Sequence, residues 1–201
     1  VNLACKAVIA AITDIDYAAA DAPEYVPPAH LWKYPLCKIR ASSERRKEFS
    51  DCVKAALDGK DLKLVRDMDV RWSSTLLMIM RALDLQEPIE VFLEAKLTHL
   101  QLDSEEWDAL NVIQDILFVP YAFQQKLSTE KIPTLNGTIP VFNAMAKSWE
   151  RLRDGDDMPL DAIDVIDAGL DKLSDYRQRI ADVPAYRLAI RESPVGRYPP
   201  Y

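Results

Sequence analysis

Glycine is scarce in this chain, with 5 among 201 residues against 13 prolines. Phosphate-cradling loops need glycine where the backbone closes on the ligand, and neither GxGxxG nor GxxxxGK[ST] occurs. Histidine is scarcer still: His30 and His99 stand far apart, which excludes a His-rich metal cage. Neither GxSxG nor HExxH is present, so Ser/His/Asp and zinc hydrolysis have no support. Cys5, Cys37 and Cys52 form an odd set without CxxC spacing. With no signal peptide in view, they are expected to be reduced inside the cell. No apolar run approaches the roughly 18 residues that a membrane-spanning helix requires, so no membrane partner is expected.

What the chain does have is apolar residues in quantity, 49% of the total. That is enough to bury a core and to offset the ordering entropy that keeps polar chains disordered. The formal net charge is -7, but it is unevenly spread. Residues 33–66 hold ten Lys/Arg against five acids, a local +5, which leaves -12 for the remainder. Lys33, Lys38, Arg40, Arg45, Arg46, Lys47, Lys54, Lys60, Lys63 and Arg66 could meet a phosphate backbone. The plainer reading is a solvated helix face. Eight Asp fall between Asp154 and Asp175, those from 157 to 175 at three- and four-residue steps. Such carboxylates could hold Mg²⁺, but opposite a Leu/Ile stripe they read better as a helix's wet face.

Periodicity predicts a mostly helical protein of six or seven helices. Residues 2–13 carry Leu3, Ala7, Val8, Ala11 and Ile12 on one helical face. Residues 14–41 lose periodicity and hold Pro23, Pro27, Pro28 and Pro35, which predicts a long loop. Ser42-Ser43 supply a cap, after which Phe49, Cys52, Val53, Ala56 and Leu57 form a stripe up to Gly59. Leu62 to Arg66 alternates apolar and basic, as a short strand would. The strongest apolar run is Leu76 to Leu85, with Pro88 at a kink or a new first turn. Asp103-Ser104-Glu105-Glu106 reads as a capping box ahead of Trp107, Leu110, Ile113, Leu117 and Tyr121. A loop over 128–139 ends at Pro140, expected to open a helix bearing Phe142, Met145, Trp149 and Leu152. A last helix over 159–180 carries Ala162, Ile166, Leu170, Leu173 and Ile180. Trp107 and Trp149 lie on apolar stripes and belong in a core. Trp72 follows Arg71 just ahead of a helix, where guanidinium, indole and backbone N–H groups could face a nucleic acid together. A buried Trp is the alternative there.

The stretch Asp69-Val70-Arg71-Trp72-Ser73-Ser74-Thr75, followed by Leu76 to Leu85, resembles the RW[NS]ST-x-x-M-x-x-R-A-L-x-L block of hAT-superfamily transposases, in the version found in basidiomycete fungi. Other blocks agree in order. Val1-Asn2-Leu3-Ala4-Cys5-Lys6-Ala7-Val8 is similar to the helix after the family's CxxH motif, and Ile39-Arg40-Ala41-Ser42-Ser43 with Arg45-Arg46 to the segment that follows. Ser128-Thr129, Ile132-Pro133-Thr134-Leu135 and Ile139-Pro140 resemble the ST…PTL…IP block. Leu170-Asp171-Lys172-Leu173 with Tyr176, then Pro184-Ala185-Tyr186, fit the later K-L-x-x-Y and P-A-Y region.

The resemblance implies a fragment centred on the helical insertion domain of an RNase H-like transposase, mainly α with at most one or two short strands. It divides the chain into 1–72, a remnant of the RNase H-like core and entry to the insertion; 73–192, the insertion; and 193–201, an irregular tail. The family's catalytic acids, which hold Mg²⁺ or Mn²⁺ in the intact enzyme, lie in motifs that this sequence does not contain. No catalytic residue, metal ligand, cofactor or small-molecule substrate is therefore expected of this chain. By the same resemblance it is nuclear, and Arg71 and Trp72 contact DNA, the Trp by stacking on a base. Arg40, Arg45 and Arg46 add electrostatic support. The competing expectation is a helical module for protein interaction or homo-oligomerisation, with no DNA role.

Overall fold

The computed structural model describes residues 2–14, 33–68, 71–129, 138–156 and 158–181. Among them are eight α-helices and no strand: α1 (Asn2–Asp14), α2 (Lys33–Arg40), α3 (Ser43–Ala56), α4 (Trp72–Asp84), α5 (Gln86–Lys96), α6 (Ser104–Thr129), α7 (Thr138–Arg153) and α8 (Leu160–Ala181). A 3₁₀ turn, Thr98–Leu100, follows α5. No helix among the described residues is long and apolar enough to cross a membrane. The chain divides into two compact units, one of Ile9–Leu117 and one of Val1–Val8 with Phe118–Tyr201.

Proline marks helix starts. Pro35, Pro88 and Pro140 are each the third residue of their helix. The first four N–H groups of a helix have no partner within it, so a residue without an N–H costs nothing there. This is why Pro35, expected in a loop, sits inside α2, and why Pro88 opens α5 after the Leu85 hinge rather than kinking one long helix. The part of the expected loop from 15 to 32, with His30, lies outside the described residues, and so does the segment 130–137. Pro120 breaks the rule, since it stands deep within α6. It removes the N–H that would have met the carbonyl four residues earlier.

In the first unit α2 packs on α3, α3 on α5 and α4 on α5. Phe49 of α3 meets Phe92 of α5 edge to face, with ring centroids 5.7 Å apart and planes at 85°. Leu76, Ile79 and Leu85 from the strong apolar run are fully buried beside Ile89 and Leu93. Ser42 caps α3, its hydroxyl accepting the Arg45 N–H at 3.1 Å. The helix ends where Asp58 and Gly59 take positive φ, 48° and 86°, and the Gly59 N–H returns 2.8 Å to the Lys54 carbonyl. At the start of α6 the capping box is reciprocal. Asp103 Oδ1 accepts the Glu106 N–H, and Glu106 Oε2 accepts the Asp103 N–H, both at 2.8 Å.

In the second unit α7 packs on α8. Trp149 and Met145 are fully buried, facing the stripe Ala162, Val165, Ile166, Gly169 and Leu173. Gly169 permits this approach: a Cβ there would come 2.8 Å from Val8 Cγ2 and 2.9 Å from Trp149 Cζ3. The stripe thus runs through a glycine, while Leu170, expected on it, is only half-buried. Among the described side chains of α1, Ala4, Cys5 and Val8 are buried; of the expected face Val8 is buried, Ala7 and Ala11 are half-buried and Leu3 is exposed.

Candidate nucleic-acid interface

After α3, residues 57–68 follow an irregular path toward α4. The alternation over Leu62 to Arg66, expected as a strand, pairs with no other strand among the described residues. Two of its carbonyls are taken instead by arginine side chains. Arg81 Nη1 of α4 donates to the Lys63 carbonyl at 2.9 Å, and Arg40 Nη1 of α2 donates to the Leu64 carbonyl. Leu64 is buried between these two ties. A guanidinium can satisfy a main-chain acceptor while its stem covers apolar surface, so no neighbouring strand is needed.

The five residues expected to contact DNA separate into three sets. Arg40 and Arg45 are half-buried and turned toward main chain: Arg40 holds Leu64, and Arg45 Nη1 donates to the Lys38 carbonyl at 3.2 Å. Arg46 and Arg71 are exposed. Trp72, the first residue of α4, is only 6% exposed. So little exposure fits the buried Trp that stands as the alternative reading there. Among the described side chains of the basic segment, Arg46, Lys47, Lys54, Lys60, Lys63 and Arg66 are the exposed cations. Elsewhere in this unit Glu90, Glu94 and Asp103 line a polar hollow that would repel a phosphate.

Arg71 occupies the N-cap of α4 in an extended conformation, φ -128° and ψ 103°, and its side chain makes no capping bond. Ser, Thr, Asp and Asn are the residues that satisfy a helix start from that position. Here those types flank it. Ser74 Oγ receives the Met68 N–H at 2.8 Å and lies 2.9 Å from Asp67 Oδ1, while Thr75 Oγ1 donates to the same carboxylate oxygen at 3.0 Å. Sequence reasoning missed Asp67, Thr75 and Arg81. The signal for the first two was an acid and hydroxyls within one helical turn of an N-terminus, but without a capping spacing to flag them.

Other candidate chemistry stays quiet. No group of three or more His, Cys, Asp or Glu that could hold a metal occurs among the described residues. In the acidic helix α8, Asp161, Asp164, Asp171 and Asp175 are exposed, and Asp167 meets Arg153 at 3.1 Å. His99 is exposed in the 3₁₀ turn. Burial pushes the Cys5 thiol up to about 12, and burial together with Asp51 raises Cys52, so neither is an activated thiolate.

Residues 35–116, which fall within the first unit, match the family model described as the ZBED1 RNase-like helical domain. The chain is also 30% identical over 119 residues to the Talaromyces stipitatus protein described as "Putative transcriptional regulator tpeD". That match covers 58% of this chain and 14% of the relative. No solved structure matches. Together the helices of the first unit and the two matches identify the region as similar to an hAT-related helical domain.

Proposed function

We propose that this chain is a helical segment of an hAT-transposase-derived nuclear protein that contacts DNA phosphates and does not cut DNA by itself. The observation that carries the reading is Arg71. It is an exposed cation at the positive end of α4, beside a buried Trp that fixes the helix start, within the segment that matches the family model. A lone cation at a helix N-terminus is electrostatically unfavourable; the Asp67 carboxylate held by Ser74 and Thr75 offsets part of this, and a phosphate would offset more. Arg46 and the exposed lysines of α3 and the following loop extend the positive field, whereas Arg40 and Arg45 serve DNA indirectly by holding backbone. The name of the fungal relative, a transcriptional regulator, agrees with a nuclear setting.

The test is fluorescence anisotropy with a hairpin-ended oligonucleotide across salt concentrations. Wild-type binding is expected to weaken with salt, and Arg71→Ala to reduce the slope of log K against log salt by about 1. Equal binding and equal slope in the two proteins would sink the role of Arg71. Binding to no DNA at all, combined with salt-insensitive self-association in light scattering, would favour the oligomerisation module. Nicking that depends on Mg²⁺ or Mn²⁺ would overturn the non-catalytic part.

A further inference from the structure

Charge is sorted by side on α3. Glu44, Glu48 and Asp51 recur at steps of four and three residues and share one flank of the helix. Arg46, Ser50 and Lys54 recur at four-residue steps on another flank, and Lys47 joins them two turns before Lys54. Contacts with neighbouring elements fix which way each flank looks. Glu48 meets Lys96 Nζ of α5 at 2.9 Å, so the acidic flank faces α5. On the basic flank the Ser50 hydroxyl donates to Asp61 Oδ1 at 2.8 Å, so that side faces the irregular residues 57–68.

Those residues bring cations of their own. Lys60 is exposed next to Asp61, in a turn where its N–H donates to the Leu57 carbonyl at 3.0 Å. Lys63 is exposed as well, its carbonyl held by Arg81. None of Arg46, Lys47, Lys54, Lys60 and Lys63 lies within ion-pair distance of a carboxylate among the described residues, whereas Lys96, Arg153 and Lys172 each do. Unpaired cations on one side, with helix acids drawn to the other, make a local positive field that the segment's net charge conceals. Such a surface suits a strand of phosphates, which carries charge at regular intervals and needs no enclosed pocket. Contacts to phosphates position a protein on a duplex and carry no sequence information directly.

We propose that the side of α3 bearing Arg46, Lys47 and Lys54, with Lys60 and Lys63, is a seam that takes a phosphate strand of duplex DNA without regard to base sequence. It rests on the DNA-binding reading above and adds to it the surface that carries the strand. Asp61 is the counterpart of those cations, a carboxylate that works against binding while Ser50 holds it in place.

The experiment is fluorescence anisotropy on the full chain with blunt-ended duplexes of two unrelated sequences, at roughly 0.1 M salt, where charges more than about 10 Å apart are largely screened. Asp61→Asn keeps an oxygen that accepts from Ser50 and removes a negative charge from the seam. It is expected to tighten binding about threefold, the scale of one exposed charge interaction, and misfolding cannot imitate a gain. Glu44→Gln removes the same charge from the opposite flank and is expected to leave affinity nearly unchanged. Lys54→Ala is expected to weaken binding to both duplexes alike and to reduce the slope of log K against log salt by about 1, and Lys54→Arg to restore it. Equal effects of Asp61→Asn and Glu44→Gln, or no gain from Asp61→Asn, overturn the seam. Strong preference for one of the two duplexes overturns its indifference to sequence. Binding to the hairpin-ended oligonucleotide but to neither duplex overturns the seam and leaves the DNA reading standing. Binding to none of these DNAs overturns both.

Discussion

In the unit Ile9–Leu117, arginine side chains reach across to hold main chain; in the unit of Val1–Val8 and Phe118–Tyr201, a missing side chain lets helices close. Arg40 and Arg81 grip consecutive carbonyls of the α3–α4 connection. Gly169 grips nothing, and its value is the space it leaves for Val8 and Trp149. The first device holds irregular backbone that bears the exposed Lys60, Lys63 and Arg66. The second brings regular helices close together at Gly169. One depends on directional bonds, which tolerate change around them, and the other on shape, which tolerates almost none.

The sharpest way to break the comparison is to fill the space. Gly169→Val is expected to cost about 3 kcal/mol, because both the new Cβ and its methyls meet buried neighbours. Urea unfolding would measure it, and a neutral result would mean that the helices can separate freely. Next comes the directional device. Arg40→Met keeps the stem and removes the donor, leaving the Leu64 carbonyl without its charged partner, with an expected loss of about 2 kcal/mol. The same unfolding curves report it, and a loss larger than that of Gly169→Val would reverse the contrast drawn here.

The smallest effect is on thiol chemistry. Cys5 lies in the close-packed unit, while Cys37 is exposed and Cys52 half-buried in the other. Labelling with a disulfide reagent near neutral pH should modify Cys37 first, Cys52 more slowly and Cys5 only on unfolding. Cys5 rises from an ordinary 9.0 to about 12 through burial. Between those values the unfolded chain sheds a proton that the folded chain keeps, so the Cys5 contribution to stability is complete below 9 and falls as pH rises toward 12. Rapid labelling of Cys5 in the folded protein would contradict the packing described for α1.

Much of the architecture was legible in the sequence because helices announce themselves in two independent ways. Apolar spacing located α3 through α8, and the Asp103–Glu106 box named the start of α6 down to its two bonds. The misreadings have local causes. Pro35 suggested a loop because a proline within a helix is costly everywhere except the first turn, and the sequence does not show where that turn lies. Leu62 to Arg66 imitated a strand because alternation records which side chains are covered, not what the carbonyls bind. The basic segment was visible as charge, but charge does not reveal which guanidiniums are turned inward. Arg40 and Arg46 look equivalent on paper and differ in the fold.

That difference governs how any charge-scanning experiment on this protein would read. Neutralising Arg40 would release the α3–α4 connection as well as remove a cation, so lost DNA affinity at position 40 would overstate its electrostatic share. Arg46 has no such double duty among the hydrogen bonds described, and Arg46→Ala reads the field more cleanly. A lysine at 40 would retain the charge while presenting an ammonium in place of the guanidinium fork. The pair Arg40→Lys and Arg46→Lys thus separates two meanings of the same letter: a change that leaves position 46 silent and moves position 40 identifies the latter as architecture.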